Sequence, residues 1–499
     1  MKFSKWQLRS AAATVGLAMV AALPAGLATA DQHGRGSGPT IKLIVAQKKI
    51  EEFQFGKFVY VDPGVYVGAF GSRLQFDVQR ASYSKPIRIT EIIHVPGVGV
   101  VARPLPSWVL LGWNGLARFL RMTVTTVRGK AVASTILPFC PNAGNPQRAD
   151  PNSPPNSPFP YLCASNPFEL GMVEGIQRGW ATDPIGGGYF FSGQRFKLNR
   201  GYYIVRVNIM RGWRKLLDVS AADGTAIVHM HVIKPSQSCP PFCQHRRAGH
   251  SGTLPNLPAV PMMTSPPRSD LPDLTPLPSW GISVQTIKLK NHPSTSYLNF
   301  GATVWINGSA RLDVEGFRSN GSPRMQAYQY FWHNGRVVGR AKAGTMGFDT
   351  AKGHSHWHFE QFAQYRLLNA RKNLVVRSRK VGFCIAPTDP VNILLPHAAW
   401  SPFSTGFGGA CGSPTALWVQ EMLPVGWGDT YVQYLAGQAF DITHLPNGTY
   451  YIEIIANPEH RLYESNYSND TSLRKVIIGG TPSHRTVRVP AVHGIDPER

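Results

Sequence analysis

Residues 198–207 read LNRGYYIVRV and residues 445–454 read LPNGTYYIEI. In each stretch a turn with Asn and Gly leads into residues rich in Tyr, Ile and Val. Side chains of a strand point alternately to its two faces, so this pattern predicts a turn that feeds a half-buried β-strand. Because the two stretches lie far apart and each stands near the end of a region, they predict two β-sandwich-like domains. Duplication of one domain is an alternative that a single shared segment does not decide.

The composition of the 499-residue chain also favours an all-β fold. Hydrophobic residues make up 43% and charged residues 16%, which argues against a disordered or coiled-coil protein. The 49 glycines and 41 prolines stand among short aromatic and β-branched runs, a pattern typical of strands joined by turns. The predicted fold class is therefore all-β, with two β-sandwich-like domains joined by a Pro-rich linker.

Proline clusters indicate where the domains divide. Residues 236–270 are rich in proline and lack periodicity, which is typical of a stiff, extended linker. We predict an N-terminal β-sandwich-like domain of unknown role at residues 31–235 and a second domain at residues 271–479. Residues 480–499 are predicted to be a tail.

The first 30 residues have the pattern of a secretory signal peptide. Lys2, Lys5 and Arg9 precede an apolar run, and Ala28-Thr29-Ala30 fits the cleavage rule of small residues flanking any residue. A membrane anchor is the alternative, but Pro24 and Gly26 interrupt the run. We expect a secreted, extracellular protein without a transmembrane segment in the mature chain.

Six cysteines fall into three local pairs. In an exported chain such pairs predict disulfides, and although fifteen pairings are formally possible, the neighbouring ones are favoured. The predicted bonds are Cys140–Cys163, Cys239–Cys243 and Cys384–Cys411. The closely spaced Cys239 and Cys243 could instead form a redox or metal-binding pair.

The net charge of +23 restricts the partners to be expected. A basic exported protein can adhere to anionic envelope polymers. Nucleic acid, the other usual partner of a basic protein, is not expected, because the chain has no recognition motif and the compartment is wrong.

The residues most informative about chemistry are Gly353-His354-Ser355-His356-Trp357-His358-Phe359. Histidines at a spacing of two on a strand project to one face, and neutral imidazoles suit copper, zinc or nickel. At a rise of ~3.4 Å per residue, the outer two would lie roughly 13 Å apart on a straight strand. One ion can bind all three only if the strand bends. A surface strand that carries histidines by chance is the alternative.

The stretch HSHWHFEQFAQYRLL, residues 354–368, resembles the copper motif of the lysyl oxidase family. Further segments that resemble this family flank the motif in the family's order. They are Leu271-Pro272-Asp273-Leu274, Lys380-Val381-Gly382-Phe383-Cys384, Asp429-Thr430-Tyr431, Asp441-Ile442-Thr443 and Glu464-Ser465-Asn466-Tyr467-Ser468-Asn469-Asp470. Gln364 departs from the animal motif, which has histidine there. No such resemblance covers residues 31–235.

The resemblance implies a copper-dependent amine oxidase with a cofactor made from its own side chains. His354, His356 and His358 would bind copper, and Lys380 and Tyr431 would cross-link into lysine tyrosylquinone. The family converts primary amines, including peptidyl lysine, to aldehydes with release of hydrogen peroxide and ammonia. A carbonyl electron sink is needed because side chains alone offer none. A lysine-bearing protein and a free amine both remain open as the substrate.

Acidic and amide residues add two further candidates. Asp429 could orient Tyr431 or act as a base, or it could be a turn residue that bonds its own backbone. The resemblance also implies a structural calcium site, and oxygen ligands suit that ion. Its ligands would be Asp273, the carbonyl of Leu274, Glu464, Asn466, Asn469 and Asp470. A solvated polar turn is the alternative.

Two other functions compete with the amine oxidase. A metal-dependent hydrolase would use the histidines to activate water and would need neither Lys380 nor Tyr431. A non-catalytic envelope-adhesion protein with a degenerate oxidase domain would suit the basic N-terminal domain and the linker.

Overall fold

The architecture is described by a computed structural model of the chain. The residues that it describes are 28–29, 38–95, 99–142, 146–150, 152–154, 156–185, 193–234, 260–288, 293–317, 324–349, 356–378, 380, 382–401, 411, 416 and 418–498. Nearly all regular structure in these residues is β-strand, so the predicted all-β class is confirmed. Helical structure within them is limited to an α-helix at Arg211–Leu216 and 3₁₀ turns at Ser107–Val109 and Arg268–Asp270.

Among the described residues of the N-terminal half there are three sheets, with the following spatial orders of strands. The five-stranded sheet has Ala28–Thr29, Gly99–Leu105, Arg88–Val95, Leu74–Gln79 and Gly171–Ile176. The seven-stranded sheet has Ala131–Phe139, Leu116–Thr126, Gly201–Ile209, Thr225–Ile233, Lys49–Phe55, Phe58–Val61 and Gln194–Lys197. The four-stranded sheet has Gln147–Arg148, Trp180–Thr182, Val65–Phe70 and Thr40–Val45.

The part of the C-terminal half that the structure describes also has three sheets. One has Leu274–Pro276, Thr295–Ile306, Trp427–Tyr431 and Asp389–Pro390, with Trp280–Ile287 and Ala439–Asp441 also pairing with the second of these. The next has Gly382–Phe383, His356–Glu360, Arg336–Asp349, Arg324–His333, Leu312–Phe317 and Trp418–Leu423. The last has Leu374–Arg377, Ala363–Asn369, Gly448–Ala456, Thr471–Thr481 and His484–Arg488.

The two turn-and-strand stretches, residues 198–207 and 445–454, contain strands as predicted. The strands are Gly201–Ile209 and Gly448–Ala456, and each begins at a glycine with positive φ, 139° at Gly201 and 151° at Gly448. Glycine adopts this conformation without the steric cost that a side chain brings. In the second strand, buried side chains alternate with half-buried ones from Tyr450 onward, so one face packs into the core.

The two halves pack against each other. The Leu170 N–H donates a hydrogen bond to the Val391 carbonyl at 2.7 Å, and the Ile393 N–H donates to the Gly171 carbonyl at 2.9 Å. Buried apolar side chains from both halves belong to one continuous core. The segment that leads up to Gly171 is therefore an interface with the C-terminal half.

Residues 480–498, predicted as a tail, take part in the fold. Strand His484–Arg488 pairs antiparallel with Thr471–Thr481, and a Glu498 carboxylate oxygen accepts the Ile282 N–H at 2.8 Å. His493 stacks on Tyr83 of the N-terminal half, with ring centroids 5.2 Å apart. The alternation in this segment is short, so its pairing with a neighbouring strand was not evident from the sequence.

Two of the three predicted disulfides are confirmed, Cys140–Cys163 and Cys384–Cys411. Cys239 and Cys243 lie outside the described residues, as do most of the predicted signal peptide and the linker up to residue 259. Within the part of the chain that is described, no helix has the length and apolar character needed to cross a membrane.

Candidate active site

Two of the three predicted metal-binding histidines face each other on one strand. Strand His356–Glu360 pairs with the end of Arg336–Asp349, and the Nε2 atoms of His356 and His358 lie 2.9 Å apart. His358 is buried and His356 is half-buried. His354 lies outside the described residues. Ligand nitrogens about 2.0–2.1 Å from one ion lie roughly 3.3 Å apart in tetrahedral geometry, so this pair fits a shared metal ion after a small adjustment.

Asp349 is a neighbour of this pair that the sequence did not reveal. Its Oδ2 lies 3.5 Å from the Nδ1 of His358. Carboxylates often accept the second ring N–H of a metal-binding histidine and fix its orientation. No motif marks Asp349, because its position depends on the register that sets it opposite His356. Among the described residues, no group of three or more His, Cys, Asp or Glu side chains could hold a metal ion.

Lys380 and Tyr431 are brought together although they are far apart in the sequence. The Lys380 ammonium nitrogen lies 4.2 Å from the centroid of the Tyr431 ring and 4.9 Å from that of the Phe383 ring. Both Lys380 and Tyr431 are buried, with 9% of each residue exposed. The Tyr431 hydroxyl accepts the Cys384 N–H at 2.9 Å. The lysine is thus enclosed between two aromatic rings in a largely apolar environment.

Burial and a nearby carboxylate determine the charges of this pair. Burial lowers the pKa of Lys380, while Asp429 and Asp349 oppose that shift. Burial also raises the pKa of Tyr431 well above its usual range, and Asp429 adds to this effect. The result is a phenol that stays protonated beside an amine that loses its proton more easily than usual.

Asp429 lies two residues before Tyr431 on strand Trp427–Tyr431, so both side chains point to the same face. The alternative that Asp429 is a turn residue is therefore wrong. Burial raises its pKa well above the usual range, and Lys380 is the largest influence in the opposite direction. Its Oδ2 has no hydrogen-bond partner among the described residues. Since burial disfavours charge on both Asp429 and Lys380, it favours transfer of the lysine proton to the carboxylate.

A second buried carboxyl, Glu421, was also missed. One of its oxygens accepts the Ile385 N–H at 3.0 Å, and burial raises its pKa well above the usual range. Glu421 lies on strand Trp418–Leu423, where an acidic residue gives no signal of its own. Its contact with Ile385 fixes the segment that follows Lys380.

The Cys384–Cys411 disulfide links the two parts of the site. On one side, the Cys384 N–H bonds to the Tyr431 hydroxyl. On the other, the Cys411 carbonyl accepts the Trp357 N–H at 2.7 Å, between the two histidines. The disulfide therefore holds the lysine–tyrosine pair and the histidine strand in one unit.

The predicted calcium ligands lie near one another around strand Leu274–Pro276. The Asn469 amide donates to Asp273 at 2.9 Å, and a Glu464 carboxylate oxygen accepts the Leu274 N–H at 2.9 Å. Both carboxylate oxygens of Asp470 are buried without a hydrogen-bond partner among the described residues. Burial and Asp470 raise the pKa of Glu464 to about 8, and burial is the main cause that raises the pKa of Asp470 to about 6.

Asn466 differs from the other members of this set. Its side-chain oxygen accepts the backbone N–H of Ser468 at 3.1 Å and the Ser468 hydroxyl at 2.7 Å. These bonds are typical of an Asx turn, as expected if this segment were a solvated polar turn. Asp470 is thus the best placed cation ligand of the set and Asn466 the least well placed.

These features define an all-β domain with facing imidazoles beside a buried lysine–tyrosine pair. Residues 324–484 match the lysyl oxidase family model. Lysyl oxidase homolog 4 of Bos taurus is 29% identical over 153 residues, which are 30% of this chain and 18% of the relative. Lysyl oxidase homolog 2 of Gallus gallus is 27% identical over 139 residues, 28% of this chain and 16% of the relative. The predicted resemblance of the C-terminal region to the lysyl oxidase family is therefore confirmed at residues 324–484.

The chain spans less than a fifth of the length of these relatives. A solved structure, of a tetra-tandem repeat in the extending region of a large adhesion protein, is 8% identical and covers 88% of this chain and 99% of its own. Its TM-score is 0.10, which carries no argument about fold or function.

Proposed function

We propose that the C-terminal domain is a copper-dependent amine oxidase that uses a lysine tyrosylquinone formed from Lys380 and Tyr431. The observation that carries this proposal is the Lys380 amine, 4.2 Å from the centre of the buried Tyr431 ring. The overall reaction takes a primary amine, dioxygen and water to an aldehyde, ammonia and hydrogen peroxide. The amine carbon loses two electrons, and dioxygen gains them.

The histidines provide the proposed copper site. His356 and His358 would hold the ion together with His354, and Asp349 would orient His358. Copper would supply electron exchange with dioxygen, and the quinone would supply the carbonyl electron sink that ordinary side chains lack. Imidazole ligands also suit zinc, so the metal has to be determined by experiment.

The residues around the pair favour an uncharged amine at Lys380. Its Nζ is enclosed by the rings of Phe383 and Tyr431, and Asp429 is the largest influence that opposes its deprotonation. We propose that the carboxylate of Asp429 receives the proton that Lys380 gives up. A neutral amine is the form that can add to a ring carbon.

We further propose that the protein is secreted and that its substrate is a free amine or a lysine of another protein. The N-terminal signal pattern and the two disulfides support export. The charge of +23 would favour contact with anionic envelope polymers.

Quinone formation after copper loading should depend on pH through Lys380. In air, copper-loaded protein should develop a quinone-specific stain, and metal-free protein should not. Because burial lowers the Lys380 pKa, the rate should rise with pH through the lowered value and level off before the ordinary 10.5. The rate of staining measured from neutral pH up to the ordinary 10.5 tests this expectation. Absence of stain in fully copper-loaded protein would contradict the proposed function.

We also propose that Asp273, Glu464, Asn469 and Asp470 bind a structural calcium ion with the Leu274 carbonyl, which is the ligand set that the resemblance implies without Asn466. Calcium should raise the melting temperature by several degrees, since a ligand at 100 times its Kd stabilises the fold by about 2.7 kcal/mol. The gain should shrink as pH falls through about 8 and then about 6, because Glu464 and Asp470 become protonated. Thermal unfolding in the presence of calcium or magnesium measures this rise in melting temperature.

Two variants with the same change in charge provide the control for calcium. Asp470→Asn should remove most of the gain, because Asp470 has both carboxylate oxygens free of hydrogen bonds within the described residues. Glu459→Gln should retain it, because Glu459 is partly exposed and pairs with Arg461. An equal response in both variants would contradict the assignment.

A further inference from the structure

The strand that carries Tyr431 has a second face, on which Thr430 is half-buried. Asp429 and Tyr431 point from strand Trp427–Tyr431 towards Lys380, so Thr430 between them points the opposite way. The Thr430 hydroxyl donates to Asp389 at 2.9 Å and lies 2.8 Å from the Thr303 hydroxyl. The position of Tyr431 is thus coupled to whatever fixes Thr430, because both belong to one pleated backbone.

The network that fixes Thr430 ends in the N-terminal domain. The Asn166 amide donates to the Thr303 hydroxyl at 2.9 Å. The Thr430 hydroxyl uses its proton in the bond to Asp389, so it must accept in its bond with Thr303. Thr303 is the donor there, and Thr303 in turn accepts from the Asn166 amide. The bonds therefore run in one direction from Asn166 through Thr303 and Thr430 to Asp389.

Glu169 closes the network at its other end. Its Oε1 accepts the Asn166 N–H at 2.9 Å, and no described N–H or hydroxyl group donates to its Oε2. The side chain that influences Glu169 most is the Asp389 carboxyl. Two carboxyl groups can bond only if a proton lies between them. The pKa of Glu169 is raised well above its usual range by burial and then by Asp389, so Glu169 is the member of the pair that favours the proton.

This network is enclosed within the interface of the two domains. Asn166 and Glu169 are fully buried, with 0% exposed, and Asp389 is 3% exposed. Nearby, the Tyr161 ring stacks on Trp427, the first residue of the Tyr431 strand, with centroids 5.9 Å apart and planes inclined by 12°. A buried polar network with all its bonds made allows one arrangement, and losing one member leaves the others unsatisfied.

We propose that Asn166 and Glu169 are positioning residues through which the N-terminal domain holds Tyr431 against Lys380. This inference rests on the proposed function, since it assigns the N-terminal domain a part in forming the quinone. Neither residue touches the reacting atoms, so they act through Thr430 and Asp389. A misplacement of about 1 Å at a reacting group can reduce a rate roughly 100-fold.

The test uses the full-length protein and four variants. Asn166→Ala and Glu169→Ala remove members of the network, whereas Glu169→Gln keeps a neutral donor for Asp389 and an acceptor for Asn166. Asn199→Ala, at an exposed position of the N-terminal domain, is the matched control. The first measurement is hydrogen exchange of the peptide containing residues 427–431 in copper-free protein. The second is the rate of Lys380–Tyr431 cross-linking per folded molecule after copper is added.

Asn166→Ala and Glu169→Ala should each accelerate exchange in this peptide and slow cross-linking by about tenfold or more. Glu169→Gln should restore both to within about threefold of the parent, and Asn199→Ala should leave both unchanged. Parent-like exchange in folded Asn166→Ala would overturn the inference whether or not the protein forms a quinone. If the parent itself never cross-links, the proposed function fails. The hydrogen exchange result then decides alone whether Asn166 and Glu169 hold the Tyr431 strand in position. Slower cross-linking that Glu169→Gln does not rescue would also overturn the role given to Glu169.

Discussion

Replacing Tyr431 by phenylalanine should abolish both quinone formation and amine oxidation. Phenylalanine fills the same space against Phe383 and Lys380 but has no phenol oxygen to oxidise. The only described hydrogen bonds of the side chain that it would lose are those with the Cys384 backbone. The fold should therefore survive, at a cost of about 1 kcal/mol. Hydrogen peroxide release with an alkyl amine, measured on copper-loaded protein, should fall to background.

Tyr434→Phe is the matched control for this variant. It removes the same hydroxyl three residues further along the chain, at a side chain with 80% of its surface exposed. Peroxide release should stay at the parent rate in this variant. Oxidation of amines by Tyr431→Phe at the parent rate would rule out the quinone mechanism, whereas absence of amine oxidation in the copper-loaded parent would favour the hydrolase or the adhesion protein.

Replacing His358 by alanine should produce the largest loss of copper. His358 is buried, its Nε2 faces that of His356 at 2.9 Å, and Asp349 lies beside its other nitrogen. Loss of a residue that only orients a metal ligand typically weakens metal binding by about 10–100-fold. Removing one of the three proposed imidazole ligands should weaken copper binding more than that. Asp349→Asn should show that smaller effect, because it alters only the orientation of His358. Titration against a copper chelator measures the affinities.

His484→Ala is the control for copper binding, since His484 is exposed on a strand of another sheet. Its copper affinity should equal that of the parent. Unchanged copper affinity in His358→Ala would rule out the histidine strand as the metal site. Preference for zinc over copper in the parent would favour the hydrolase instead.

Much of this architecture could be predicted because it depends on local patterns. The strand that begins at Gly448 was evident from its turn and its alternation, and the histidine spacing placed His356 and His358 on one face. The meeting of Lys380 and Tyr431 was predicted from the family resemblance alone. Local sequence contains no information on which distant strands become neighbours.

The residues that escaped prediction depend on such long-range pairing. Asp349 lies beside His358 only because of the register between two strands, and Glu421 reaches Ile385 across a sheet. Asn166 and Glu169 stand in an irregular segment whose role depends on a contact with the C-terminal half. Polar residues in such segments usually indicate loops, so nothing distinguished them from solvated turn residues.

Mass spectrometry of the copper-loaded parent protein tests the central claim most directly. After incubation in air and digestion, the peptides that contain Lys380 and Tyr431 should be found as one cross-linked species. The same species should be absent from metal-free protein and from Lys380→Ala. Recovery of both peptides in full and unmodified from copper-saturated, folded protein would contradict the account.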